Sequence, residues 1–196
     1  MMRTAMVATV LLASTLGCGH VPQTHYYLFD YERASVPGQT LPVSIGIASV
    51  EVVPPYDQER LVFRRSRHEV EFYHYHRWVE HPAQLVRRCL LRDLAQSQRF
   101  REVVPFPGHR SVDYVLSVRI ERLEEWDEGQ SWFACLELQC ELGKPKALEL
   151  LHSWRISERE MTREHSPAGV VQALTRCLQR ASQNILNELG EHVAAR

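Results

Sequence analysis

The sequence predicts an α+β domain, an antiparallel β-sheet with two helices packed on one of its faces. Three observations predict it. Long segments alternate apolar and polar residues with period two, as half-covered strands do. Two other segments repeat apolar residues at helical spacing. Strand signals come in runs, with one helix between them and one at the end, which is the segregated order of an α+β fold.

The elements follow in order. "HYYLF" (His25 to Phe29) opens the first strand. "VSIGIASVEVV" (Val43 to Val53) is β-branched and apolar on both faces, as a well-covered strand is, and "PPY" stops it. "LVFRR" and "EVEFYHYHRW" are further strands. "PAQLVRRCLLRDLAQS" (Pro82 to Ser97) is a helix with proline in its first turn. Val86, Leu90 and Leu94, with Leu85 and Cys89, form its buried stripe, and Arg87, Arg88 and Arg92 are expected on its solvated face. Three strands of period two come next. The first puts Val112, Tyr114, Leu116, Val118 and Ile120 on one face. The second does so with Trp132, Ala134, Leu136, Leu138, Cys140 and Leu142, the third with Leu148, Leu150, Trp154 and Ile156. Short turns at "DEGQ" and "GKPK" make them a meander. In the closing helix Ser166 is the N-cap and Pro167 the first residue. Val170, Leu174, Leu178, Ala181, Ile185 and Leu189 form its stripe, and Gly190 is expected to cap its end.

At 196 residues, 44% hydrophobic and 24% charged, the composition is that of one globular domain. A formal net charge of -1 gives no field that would select a nucleic acid. The start reads as processing signal instead of fold. Arg3 precedes the apolar run "TAMVATVLLASTL" (Thr4 to Leu16), too short to span a bilayer, and Gly17-Cys18 follows. A small residue before cysteine suits lipoprotein processing, with Cys18 as the lipid attachment point. The division is then residues 1–17 signal peptide, 18–25 lipid-anchored tether and 26–196 one domain. Of the charged residues, the signal removes only Arg3, leaving 22 basic against 24 acidic. Cys89, Cys135, Cys140 and Cys177 remain; they lack paired CxxC spacing, so no zinc ribbon is indicated. Cys135 and Cys140 are an odd number of residues apart on one strand and point to opposite faces.

"EVEFYHYHRWVEHP" (Glu69 to Pro82) holds His74, His76 and His81. On a regular strand His74 and His76 share a face, roughly 6.5 Å apart, close enough to chelate a metal with His68 or His81 as a third ligand. That is the case for a metal-dependent enzyme. Against it, no HExxH motif is present and no acidic residue shares that face. No phosphate-binding, dinucleotide or GxSxG motif occurs either. The preferred reading is a non-enzyme with no metal or cofactor.

Several pieces also stand in a recognisable order: "YYLF" after a lipoprotein-like start, "IGIASVEVVPPYDQERLV", "RRSRHEVEFYHYHRWVEHP" running into a helix, "DYVLSVRIERLE" and the long final helix. The chain resembles the ABC-type transport auxiliary lipoproteins, the group of paraquat-inducible protein C, over most of its length. The most specific element is Arg77-Trp78, Glu80 and Pro82 at the strand-to-helix junction; Tyr56 and Arg60 look like the family's Tyr-Leu-Asp-Arg segment, with "DQE" intervening. The resemblance implies a periplasm-facing outer-membrane lipoprotein that forms homo-oligomers. Its partners would be a mammalian-cell-entry (MCE) protein and the permease and ATPase of a lipid-transport system. Tyr56, Arg64, Arg77 and Trp78 are the candidate contact or junction residues; for Trp78 core filling is the preferred reading over a partner contact, since large aromatics usually carry packing. For Arg64, Arg65 and Arg67 the alternative to a contact is a solvated sheet edge. A second functional reading is a periplasmic adaptor lipoprotein that regulates a cell-wall enzyme. Growth with radioactive palmitate is expected to label the wild-type protein and leave Cys18→Ala unlabelled.

Overall fold

The computed structural model describes residues 22–32, 40–145 and 149–194. The expected signal, Cys18 and Leu148 lie outside them. The strands are β1 (His25–Tyr27), β2 (Leu41–Ile47), β3 (Glu51–Val52), β4 (Arg60–Ser66), β5 (Glu69–Trp78), β6 (Phe100–Pro105), β7 (Tyr114–Asp127), β8 (Trp132–Lys144) and β9 (Glu149–Met161). The helices are α1 (Pro82–Gln96) and α2 (Pro167–Ala194). β1 thus begins at the last residue of the expected tether.

The α+β class is borne out, with a mixed sheet where a wholly antiparallel one was expected. β7, β8 and β9 form the antiparallel meander. On its other edge β7 pairs in parallel with three short strands in succession: β2 at Tyr114 to Leu116, β3 at Arg119 and Ile120, and β4 at Glu125 and Trp126. β6 lies parallel to β2, β5 antiparallel to β4, and β1 parallel to β5. The turn signals locate adjacent hairpins only. They carry no information on how β2, β3 and β4, separated from β7 by α1 and β6, return to the sheet. β4 consequently lies between β5 and β7, so Arg64 and Arg65 are not on a sheet edge.

One face of the meander is the core. Leu116, Val118 and Ile120 of β7, Ala134, Leu136, Leu138, Cys140 and Leu142 of β8, and Ile156 of β9 are buried there with the stripes of both helices. α2 lies across β8, β9 and β2 and touches α1. In β9 the pairing slips between Leu142 and Gly143. The bulge breaks the expected alternation, and Leu150 is exposed.

α1 begins where the side chain of His81 accepts a bond from the Ala83 N–H at 3.3 Å through Nδ1. Its Nε2 meets Asp57 at 2.9 Å, so this histidine ties the helix start to the β3–β4 loop. The arginines of α1 are not simply solvated. Arg87 donates to the carbonyls of Ala48 and Ile47, each at 3.0 Å, and of Phe106 at 3.2 Å. It satisfies backbone acceptors where β2 and β6 end. Arg92 pairs at 3.0 Å with Asp93, whose carboxylate is buried and also accepts from Tyr31 at 2.6 Å. In α2 the Ser166 hydroxyl accepts from the Gly169 N–H at 3.0 Å, as an N-cap does. Gly190 does not end α2. It lies buried within the helix, and a Cβ there would come within 2.8 Å of the Arg99 guanidinium. Its role is close packing, not capping.

Leu138, fully buried beneath α2, is expected to cost about 2–5 kcal/mol when changed to Ala, measured as the shift of a urea unfolding curve.

Candidate functional site

The site is built by one irregularity in β7. The β7–β8 register slips between Ile120 and Arg122, which leaves Glu121 unpaired. Up to Ile120 the even-numbered residues enter the core; beyond the bulge Leu123 does so. Arg122, Glu124 and Trp126 are thereby turned to the face away from the helices. Cys135 and Glu137 of β8 and Arg159 of β9 join them around an open cavity of about 490 Å³. The β3–β4 loop brings Tyr56 to the same place, and β4 brings Arg64 and Arg67.

Beneath this cavity is a buried ion-pair network centred on Glu124, which is 1% exposed. Tyr56 donates its hydroxyl to Glu124 Oε2 at 2.6 Å, and Arg64 Nε lies 2.8 Å from the same oxygen. Arg122 Nε donates to Oε1 at 2.6 Å, and Arg64 Nη2 donates to the Tyr56 hydroxyl at 2.9 Å. A carboxylate so buried is tolerable only because both oxygens are held by charged or hydroxyl donors. Burial, reinforced by Glu124, pushes the Tyr56 phenol up, so it stays a proton donor. At the rim Arg159 pairs with Glu128 at 2.6 Å and its guanidinium lies 3.8 Å from the Phe133 ring centroid. Arg122 lies over Trp126 at 5.2 Å. Arg67 is exposed and makes no ion pair among the described residues.

The next residue, Glu125, points to the opposite face and is equally buried. Tyr73 donates to it at 2.8 Å, but no cation is in hydrogen-bond contact. Burial therefore raises its pKa to about 7, and Tyr73 only partly opposes the rise. Adjacent glutamates on one strand thus occupy opposite electrostatic environments.

Of the four candidate contact residues, the fold brings Tyr56 and Arg64 together and leaves Arg77 and Trp78 apart from them. Trp78 is 2% exposed, packed on Phe29 with ring centroids 4.8 Å apart. It fills the core at the β5–α1 junction. Arg77 sits between Tyr26 of β1 and Arg60 of β4 in the ladder. Exposed Tyr26, Leu28, Tyr75 and Val79 form an apolar fringe along this β1–β5 side. Arg122, Glu124 and Arg159 were missed. For Arg122 and Glu124 the signal is an extra residue in the β7 alternation, "RIERLEEW", which shifts the apolar phase after Ile120; Arg159, on β9, has no such signal.

His74 and His76, the pair of the alternative metal reading, belong to no group of three or more metal-capable side chains among the described residues. In the β4–β5 ladder Val62 faces Phe72 and Arg60 faces Arg77, so β5 carries extra residues through the histidine stretch. His74 is exposed. The ring of His76 stacks on His25 at 5.1 Å, and its Nδ1 meets the Tyr27 hydroxyl at 2.8 Å. Burial and the nearby His25 lower its pKa.

Residues 26–186 match the sequence model of a family described as the ABC-type transport auxiliary lipoprotein component. No curated protein matches the chain. Among solved structures, protein XCC0632 from Xanthomonas campestris is similar at 16% identity and a TM-score of 0.77, covering 86% of this chain and 96% of that one. Protein CT253 from Chlamydia trachomatis is similar at 8% identity and a TM-score of 0.54, covering 80% and 100%. At such identities these two structures establish the shared fold.

The two buried glutamates are expected to respond oppositely to amidation. Glu124→Gln leaves two guanidiniums without a full counter-charge and should destabilise the protein by about 3–5 kcal/mol. Native Glu125 retains its proton to higher pH than the unfolded chain does, so its presence makes stability fall as pH rises from about 4.5 to about 7. Glu125→Gln should remove that slope and stabilise the protein above pH 7 by on the order of 2–3 kcal/mol. Denaturant curves at pH 5 and pH 8 check both signs.

Proposed function

Because the chain belongs to the ABC-type transport auxiliary lipoprotein family, we propose that it is a non-enzymatic outer-membrane lipoprotein that docks or anchors the periplasmic MCE component of an ABC lipid-transport system. The family match over residues 26–186 carries this reading, since it takes in nearly the whole described domain. Cys18 holds the lipid. Six residues lie between it and His25, and an extended chain of those seven steps reaches at most about 25 Å. The β1–β5 side, with its exposed Tyr26 and Leu28, therefore stays close to the bilayer surface.

The cavity on the uncovered face is suited to contact, not to covalent chemistry. Its one thiol, Cys135, is pushed up to about 11 by burial and stays protonated, a poor nucleophile at neutral pH. Its carboxylate floor is committed to Tyr56, Arg64 and Arg122. The exposed guanidinium of Arg67 at the rim offers a planar donor to an acidic stretch of the partner, and Arg159, paired with Glu128, stands exposed at the same rim. Homo-oligomers would repeat this rim around an assembly and multiply a weak contact.

Affinity purification from membranes tests the reading. The wild type should recover an MCE-domain protein. Cys18→Ala should recover several-fold less. Arg67→Glu with Arg159→Glu should also recover less while keeping the wild-type melting temperature. Recovery of cell-wall enzymes alone would replace the transport role with that of a regulatory adaptor. Undiminished recovery by the arginine variant would remove the cavity rim from the contact.

A further inference from the structure

Far from the arginine-lined cavity, the edge strand β9 and the last turns of α2 bring three metal-capable side chains together. His152 of β9, with Glu188 and His192 of α2, offer ligand atoms that all lie within 4.8 Å of one another. No other group of three such side chains occurs among the described residues. His152 Nε2 stands 3.1 Å from Glu188 Oε2, and His192 Nδ1 stands 3.7 Å from the same oxygen. A tetrahedral ion bound at about 2.0–2.1 Å holds its ligand atoms roughly 3.3 Å apart. The His152–Glu188 spacing is close to that value, and the ligand atom that His192 offers lies within 4.8 Å of both.

The two imidazoles stack on one another, and their lone pairs lie in the ring planes, so one ring must turn about its side-chain bonds before both can meet a single ion. His152 and His192 stack with centroids 3.6 Å apart, and Trp154 stacks behind His152 at 5.0 Å. His192 Nδ1 lies 2.9 Å from the Glu188 carbonyl oxygen. The tautomer that donates this bond keeps its lone pair on Nε2, the arrangement in which a backbone carbonyl orients a metal-binding imidazole. Glu188 and His192 are one helical turn apart, so they form one chelating face on α2. All three side chains are half-buried, with the exposure of the most open, His192, at 37%. That leaves access for an ion and room for a water as fourth ligand.

We infer that His152, Glu188 and His192 bind a late first-row divalent transition-metal ion, such as Zn²⁺, which clips the end of α2 to the edge strand β9. Two imidazoles and one carboxylate suit such an ion and are a poor set for Ca²⁺ or Mg²⁺, which take oxygen ligands. The site is distinct from His74 and His76 and does not rest on the proposed transport role. The ion adds a cross-link at a place where, among the described residues, β9 pairs with β8 alone and the helix nears its end, where fraying is otherwise least opposed.

The test uses the full chain purified in detergent, stripped with EDTA and dialysed, then titrated with ZnCl2 by calorimetry, with metal content measured after desalting. One zinc per chain is expected. His152→Ala and His192→Ala should each weaken binding at least tenfold, and Glu188→Gln should do so without lowering the melting temperature of the metal-free protein. The double variant His74→Ala, His76→Ala should bind as the wild type does. Zinc should slow amide exchange in α2 from Leu186 to Val193 in the wild type and not in Glu188→Gln. Absence of binding at 100-fold excess zinc, or equal binding by all three single variants, overturns the proposal. Loss of binding in the His74, His76 variant alone would also overturn it and move the ion to β5.

Discussion

The structure depends on β7 being paired along both edges. One edge is held throughout by β8. The other is held in turn by β2, β3 and β4, each only a few residues long at the contact. A buried strand cannot leave its N–H and C=O groups unpaired without a cost comparable to a lost hydrogen bond at each one. Three separate chain segments must therefore arrive end to end on a single strand. The position of α1, the Arg87 clamp on the carbonyls of Ile47, Ala48 and Phe106, and the parallel sense of half the sheet all serve that arrival.

The bulge at Glu121 makes such a long strand compatible with both a core and a polar site. Without it, alternation would carry Glu124 into the core with Ile120, and Leu123 would turn to the open face. With it, the apolar phase is restored at Leu123, and Arg122, Glu124 and Trp126 meet on the uncovered side. Glu124 then gathers partners from three places in the chain: the Tyr56 hydroxyl and Arg122 as donors, and Arg64 as an ion pair. Such a network ties the β3–β4 loop to the sheet, and its geometry is specific even where its net stabilisation is small. It also commits Arg64 and Arg122 to the buried carboxylate.

Arginine accounts for nearly all of the basic charge, and the fold uses it in three ways. Arg87 serves backbone carbonyls, and Arg64, Arg92 and Arg122 serve buried carboxylates. Arg176 and Arg180 pair with Glu158 and Glu160 to seat α2 on β9. A planar fork that bonds in two directions does this work better than an ammonium does. On the outside of a helix, sequence cannot separate an arginine that clamps a neighbouring element from one in water. Both occupy the polar phase of the same periodicity. Arg87 was thus expected in solvent and lies against β2.

The sequence by itself determined the α+β class, both helices, the meander and the apolar face of β8, because these follow from local periodicity: 3.6 residues per turn or two per pleat. It also determined the family, through the order of short motifs along the chain. Tertiary structure alone decided the parallel pairing of β2, β3 and β4 with β7, the partner that Trp78 packs on, the register through His74 and His76 and the interior position of Gly190. Each of these depends on which distant residue stands opposite: Arg99 against Gly190, Phe29 against Trp78, Leu61 and its neighbours against the lengthened β5. Periodicity reports which face a residue shares with its own strand or helix. What waits on that face is set by how the chain returns, and for β7 it returns three times.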